Sequence, residues 1–201
     1  MFSKYIHFAI LILGWACPVW AVQKNWDDYS EEEREEVLIT SAMEKSHRSG
    51  YRKDCSGFIE AILQDTGHDL FDFVRSYDLR ANGVRLIYEY VQRSGEIRET
   101  KIPKPGDLVF FSNTYDLNHD RKLNDKLTHI GIVTSVDKDG TVAFLHILQK
   151  KVQTDYMNLF KPTTYQEDGK TLNSYLRRPQ KNSRTSLLTS QLFDFFGSLN
   201  P

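Results

Sequence analysis

The sequence is poor in cysteine. Two in 201 residues exclude a disulfide-built scaffold and a four-cysteine zinc site. It also lacks an excess of charge of one sign. Lys and Arg number 26 against 27 Asp and Glu, a formal net charge of -1. A dedicated nucleic-acid binder sets a basic surplus against phosphates, so no nucleic-acid partner is expected. Internal repeats and low-complexity tracts are absent, which excludes solenoids and repeat arrays. Apolar residues make up 40% and charged residues 26%, the balance of a globular chain rather than a disordered one. This length suits one domain and hardly two.

The one long apolar run is N-terminal. Phe8 to Val19 follows Lys4 and ends at Val-Trp-Ala, with Val19 and Ala21 at the small-residue positions of a cleavage site. A membrane-spanning helix needs about 20 apolar residues, and this run is shorter and contains Pro18. Residues 1–21 are therefore expected to be a signal peptide, leaving no stable membrane span after cleavage. Export to the periplasm is favoured over full secretion. Lipidation at Cys17 is the lesser alternative, because Trp15 sits where a lipobox wants a small side chain. Cleavage leaves Cys55 alone in an oxidising compartment, where cysteines are normally paired. Such a thiol is either buried as a small hydrophobe or a nucleophile.

The rest reads as helices followed by strands. Ser30 and Glu33 form a capping box for a helix over Tyr29 to His47. A second helix is expected from Asp54 or Cys55 to Thr66, stopped by Gly67, and a third from Val84 to Arg93. After Pro105-Gly106-Asp107 come strand patterns at Leu108 to Phe111, His129 to Val136 and Thr141 to Leu148, the last two joined by a Lys138-Asp139-Gly140 turn. The fold class is α+β, with an antiparallel sheet. The expected organisation is a domain over 22–180 and a C-terminal tail, 181–201, carrying a short helix. Phe71, Phe73 and Tyr77 are left open between core and cleft wall.

Cys55 stands out. At a helix start its thiol would sit at the positive end of the dipole, which favours the thiolate. Asp54 is a natural N-cap, and the small Ser56 and Gly57 would let a substrate approach the sulfur. His129 opens an apolar strand, and His146 lies on the next one. In a hairpin the two imidazoles can be neighbours, one as base and one orienting it. One explanation then covers a lone cysteine and two histidines.

Asp-Cys-Ser-Gly-Phe (54–58), Pro-Gly-Asp-Leu-Val-Phe-Phe (105–111), Thr-His-Ile-Gly-Ile-Val (128–133) and Phe-Leu-His-Ile (144–147) together resemble the NlpC-type bacterial cell-wall cysteine peptidases, a papain-like clan related to the CHAP amidases. The resemblance covers roughly residues 50 to 150 and rests on the order of the motifs. It implies a catalytic helix packed on an antiparallel sheet, Cys55 as nucleophile, His129 as general base and His146 as the residue that orients it. CHAP proteins more often place Asn or Asp there, so His146 favours the NlpC side. The family usually has a longer Tyr-containing Gly-Gly segment before the cysteine. Here only Gly50 to Lys53 precede Asp54, and Tyr51 is the candidate for the tyrosine near the nucleophile. With Asp54 and Ser56 it forms the expected substrate and oxyanion neighbourhood. The implied substrate is peptidoglycan or a muropeptide, cleaved without a required cofactor. Two rival readings remain: a hydrolase of the same fold acting on another amide, and a catalytically silent wall-binding scaffold.

A second pattern lies in Asp116 to Leu127. Asp116, Asn118, Asp120 and Asn124 occupy positions 1, 3, 5 and 9 of an EF-hand loop. Arg121 replaces the turn glycine, Leu127 replaces the bidentate acid, and Asp125 is the candidate to compensate. A structural calcium is one reading, and a polar surface loop the other.

Overall fold

Ser30 opens the first helix as the sequence predicts. Its hydroxyl accepts from the Glu33 amide, and the Glu33 carboxylate accepts from Ser30 N–H at 2.8 Å. The helices of this computed structural model are α1 (Glu31–Ser46), α2 (Cys55–Asp65), α3 (Leu70–Ser76) and α4 (Gly83–Ser94). Strands β1 (Glu96–Arg98), β2 (Leu108–Phe111), β3 (His129–Val136), β4 (Thr141–Leu148) and β5 (Lys151–Asn158) follow. Then come the short β6 (Gln166–Glu167), β7 (Lys170–Thr171), β8 (Tyr175–Arg177) and β9 (Leu187–Leu188), helix α5 (Thr189–Leu192) and β10 (Phe193–Ser198). The structure describes residues 25–177 and 186–199. The expected signal peptide, 1–21, lies outside them.

Six strands form one antiparallel sheet in the order β1-β10-β2-β3-β4-β5. Both faces are covered. Leu108, Phe110, Ile130, Ile132, Leu145 and Ile147 point to the helices and join Phe58, Ile59 and Ile62 of α2. Their neighbours Val109, Phe111, Val133, Val142 and Phe144 point the other way, into a second core closed by Met157, Leu176, Leu192 and Phe196. The period-2 alternation of strands thus serves two cores, and α2 packs across β3 and β4.

The C-terminal segment departs from expectation. The predicted tail with a short helix keeps only four helical residues, and Phe193–Ser198 is a strand between β1 and β2. Leu192, Phe195, Phe196 and Leu199 have helical spacing, which is why the sequence suggests a helix. In the sheet a bulge between Phe193 and Phe195 breaks the alternation. Phe195 therefore packs on the helix side and Phe196 in the second core.

The aromatic trio also resolves. Phe73 packs against the core, whereas Phe71 and Tyr77 are exposed. Beside them His68 is buried, its Nδ1 bonded to the Tyr90 hydroxyl at 2.9 Å and Trp26 against its ring. Burial first, and then the Arg34 charge, push its pKa down to about 4. The unfolded chain takes up this proton near pH 6.5 and the folded one does not. Stability is therefore complete above about pH 6.5 and falls between there and pH 4, by up to about 3 kcal/mol. Urea unfolding at pH 7 and pH 5 should show a smaller loss in His68→Phe than in the parent. An equal loss would assign the acid sensitivity elsewhere, since buried His129 gives a slope of the same sign.

Candidate active site

Cys55 is the first residue of α2. Asp54 caps the helix, its carboxylate accepting from Gly57 N–H at 2.8 Å and from the Ser56 hydroxyl at 2.8 Å. Arg52 closes the cap with Nε at 2.6 Å from Asp54 and Nη2 donating to Ser56 Oγ. Burial raises the Asp54 pKa less than these hydrogen bonds and Arg52 lower it, so the carboxylate sits below its ordinary range. Gly57 has a steric reason. A Cβ there would stand 2.4 Å from the Arg52 carbonyl oxygen, so a side chain would displace the backbone that positions the cap. The small residues after Cys55 thus serve the turn. Ser56 lines the cleft, but its hydroxyl is held by Asp54 and Arg52.

Cys55 and His129 line one cleft of about 560 Å³, with Tyr115, Asn82, Gln149 and Lys150 among the other walls. The backbone amides of Ile130 and Ser56 act to lower the pKa of this thiol. Even so, burial, added to by the Asp54 charge, pushes the thiol up to about 11. This corrects the expectation of a thiolate: the helix terminus lowers the pKa, but desolvation outweighs it. His129 is buried and its pKa falls well below 6.5, from desolvation first and from His146 second. The resting pair is thiol and neutral imidazole.

Behind His129 the structure shows a chain of polar groups. His129 Nε2 lies 2.7 Å from His146 Nδ1, the rings edge-on, and His146 Nε2 lies 3.0 Å from Asp155 Oδ2. Gln153 donates to the same oxygen at 2.9 Å. Burial raises the Asp155 pKa, but hydrogen bonds from His146, Gln153 and Ser174 outweigh it and keep the group ionised. A carboxylate only accepts, so His146 Nε2 carries a proton towards Asp155. Where His146 Nδ1 is the acceptor of the 2.7 Å bond, His129 Nε2–H is its donor and His129 Nδ1 keeps its lone pair. Gly131 permits this packing, because a Cβ there would stand 2.8 Å from Phe144 and 3.3 Å from His146 Cβ.

One expected residue falls elsewhere. The Tyr51 hydroxyl donates to the Lys45 carbonyl at 2.9 Å, and its ring packs near Phe58, so it closes the C-terminal end of α1 instead of facing the nucleophile. The aromatic of the cleft is Tyr115, whose pKa is raised by burial first and then by the neighbouring Cys55. Neither Tyr115 nor Asp155 carries a motif in the sequence. Asp116, Asn118, Asp120, Asn124 and Asp125 do share one loop. Among the described residues no group of three or more His, Cys, Asp or Glu is arranged to hold a metal ion.

A cysteine at a helix start, packed on an antiparallel sheet that supplies paired histidines, defines the papain-like class of thiol hydrolases. The chain belongs to the NlpC/P60 family, which it matches over residues 43–168. Members are cell-wall cysteine peptidases that need no cofactor. Neither the curated proteins nor the solved structures give a match. No helix among the described residues is long and apolar enough to cross a membrane.

Proposed function

We propose that the protein is an exported cysteine hydrolase, acting in the periplasm on amide bonds of peptidoglycan stem peptides as an endopeptidase or amidase. The observation that carries this reading is the shared cleft of Cys55 and His129, backed by the His146–Asp155 chain. A silent scaffold would have no use for a half-buried carboxylate that holds, through His146, a cleft histidine. The walls also suit the substrate. Arg52, Lys53 and Lys150 outnumber the single acid Asp54, and stem peptides are rich in carboxylates.

In the reaction His129 Nδ1 takes the Cys55 proton as the sulfur attacks the amide carbonyl. The Cys55–His129 imidazolium is stabilised through His146 by the Asp155 charge. Backbone N–H at the start of α2 holds the oxyanion. His129 then protonates the leaving amine as the C–N bond breaks. Water, deprotonated by His129, attacks the thioester, and the sulfur leaves to regain its proton while a carboxylic acid is released.

The test is digestion of purified sacculi by the protein, read by mass spectrometry of the soluble products. New stem-peptide fragments are expected, and their masses name the bond cut. Intact sacculi together with turnover of another peptide amide would move the substrate outside the wall and sink this reading.

A further inference from the structure

We propose that the Asp116–Leu127 loop is a calcium site at the rim of the cleft. The carrying observation is a pair of buried carboxylate oxygens, Asp116 Oδ1 and Asp125 Oδ2, that have no hydrogen-bond partner. Asp125 is 5% exposed. A buried carboxylate oxygen left without a partner is strongly unfavourable.

The other oxygen of each acid is fixed by the loop backbone. Arg121 N–H donates to Asp116 Oδ2 at 2.9 Å, and Asn118 N–H to Asp125 Oδ1 at 3.3 Å. Both free oxygens are thus held by the same turn. Among the described residues no side-chain cation answers them: Lys126 pairs with Asp194, and Arg177 donates to the Asn113 carbonyl.

The loop backbone fits an ion-binding turn. Position 6 of an EF-hand loop is a glycine because the turn is sharp. Arg121 stands there with φ of 63°, a left-handed conformation that the chain adopts without glycine. Asn118 and Asp120, at positions 3 and 5, accept from the amides two residues on, at 2.9 and 2.8 Å. Leu127 cannot supply the acid of position 12, and Asp125 provides a carboxylate in its stead. Amide and backbone oxygens of the same turn would complete the set of six to eight that calcium takes. Magnesium demands a tighter octahedron. The ion would fasten Tyr115 and the approach to Thr128 and His129. The site does not depend on the catalytic reading.

The test is calcium titration of the EDTA-treated, dialysed full chain by calorimetry, with thermal melts and terbium luminescence sensitised by Tyr115. One saturable site in the micromolar to millimolar range is expected. Tm should rise by a few degrees in about 10 mM calcium. Asp116→Asn, on the less buried side, and Asp125→Asn should each weaken binding at least about tenfold and abolish the Tm rise. If Asp125→Asn does not fold, Asp116→Asn alone decides. No saturable binding by the parent up to about 10 mM, affinity unchanged in Asp116→Asn, or equal affinity for magnesium would each overturn the proposal.

Discussion

Cys55→Ala is expected to lower hydrolysis at least about 10³-fold while Tm moves by no more than a few degrees. The replacement removes the sulfur on which the acyl intermediate would form. Asp54, Ser56 and Gly57, which build the helix cap, are untouched. Activity against pH carries a second expectation for the parent enzyme. With the thiol near 11 and His129 well below 6.5, the productive state is the neutral pair. The rate should hold level through neutral pH and fall only as His129 gains its proton, below its ordinary range. Labelling of resting Cys55 by iodoacetamide should climb steadily as pH rises above 7, because the thiolate fraction climbs. A labelling plateau already reached below pH 7 would show a preformed thiolate–imidazolium pair and refute the neutral assignment.

Asp155 gives the second large effect, as a positioning residue. Asp155→Asn keeps an acceptor opposite His146 Nε2 and removes the charge. Asp155→Ala removes both and frees His146 to turn its tautomer, which would place the proton on His129 Nδ1. Losses of about 10-fold in kcat for Asn and 10²-fold or more for Ala are expected. KM should stay nearly constant, since Asp155 does not line the cleft. Removing the negative charge makes His129 a weaker base, so the acid limb of the rate profile should move to lower pH. A merely structural role would lower Tm and leave the profile of the folded fraction in place.

Much of this site was legible because its chemistry is local. Asp54 as cap, Cys55 at the helix start, and His129 and His146 on consecutive strands follow from residues within a few positions of one another. The hairpin from β3 to β4 carries a Gly140 turn that sequence rules detect. The next hairpin does not. Gln149 and Lys150 both adopt left-handed φ, 52° and 65°, without the Asn or Gly that normally announces such a turn. The following strand, β5, was therefore unseen, and with it Asp155. The position of Asp155 is a matter of register: it pairs with Phe144, two residues along from His146 on the same face.

The sequence by itself determined the starts of α1, α2 and α4, the strands from Leu108 to Leu148 and the family, because caps, alternation and motif order are written in short windows. Tertiary structure alone decided the rest. It made the final segment a strand, since a bulge between two buried cores mimics helical spacing. It reversed the ionisation of Cys55, since desolvation depends on what packs over the sulfur. It sent Tyr51 to α1 and Tyr115 to the cleft, since side chains distant in sequence compete for the same space only once the chain has closed.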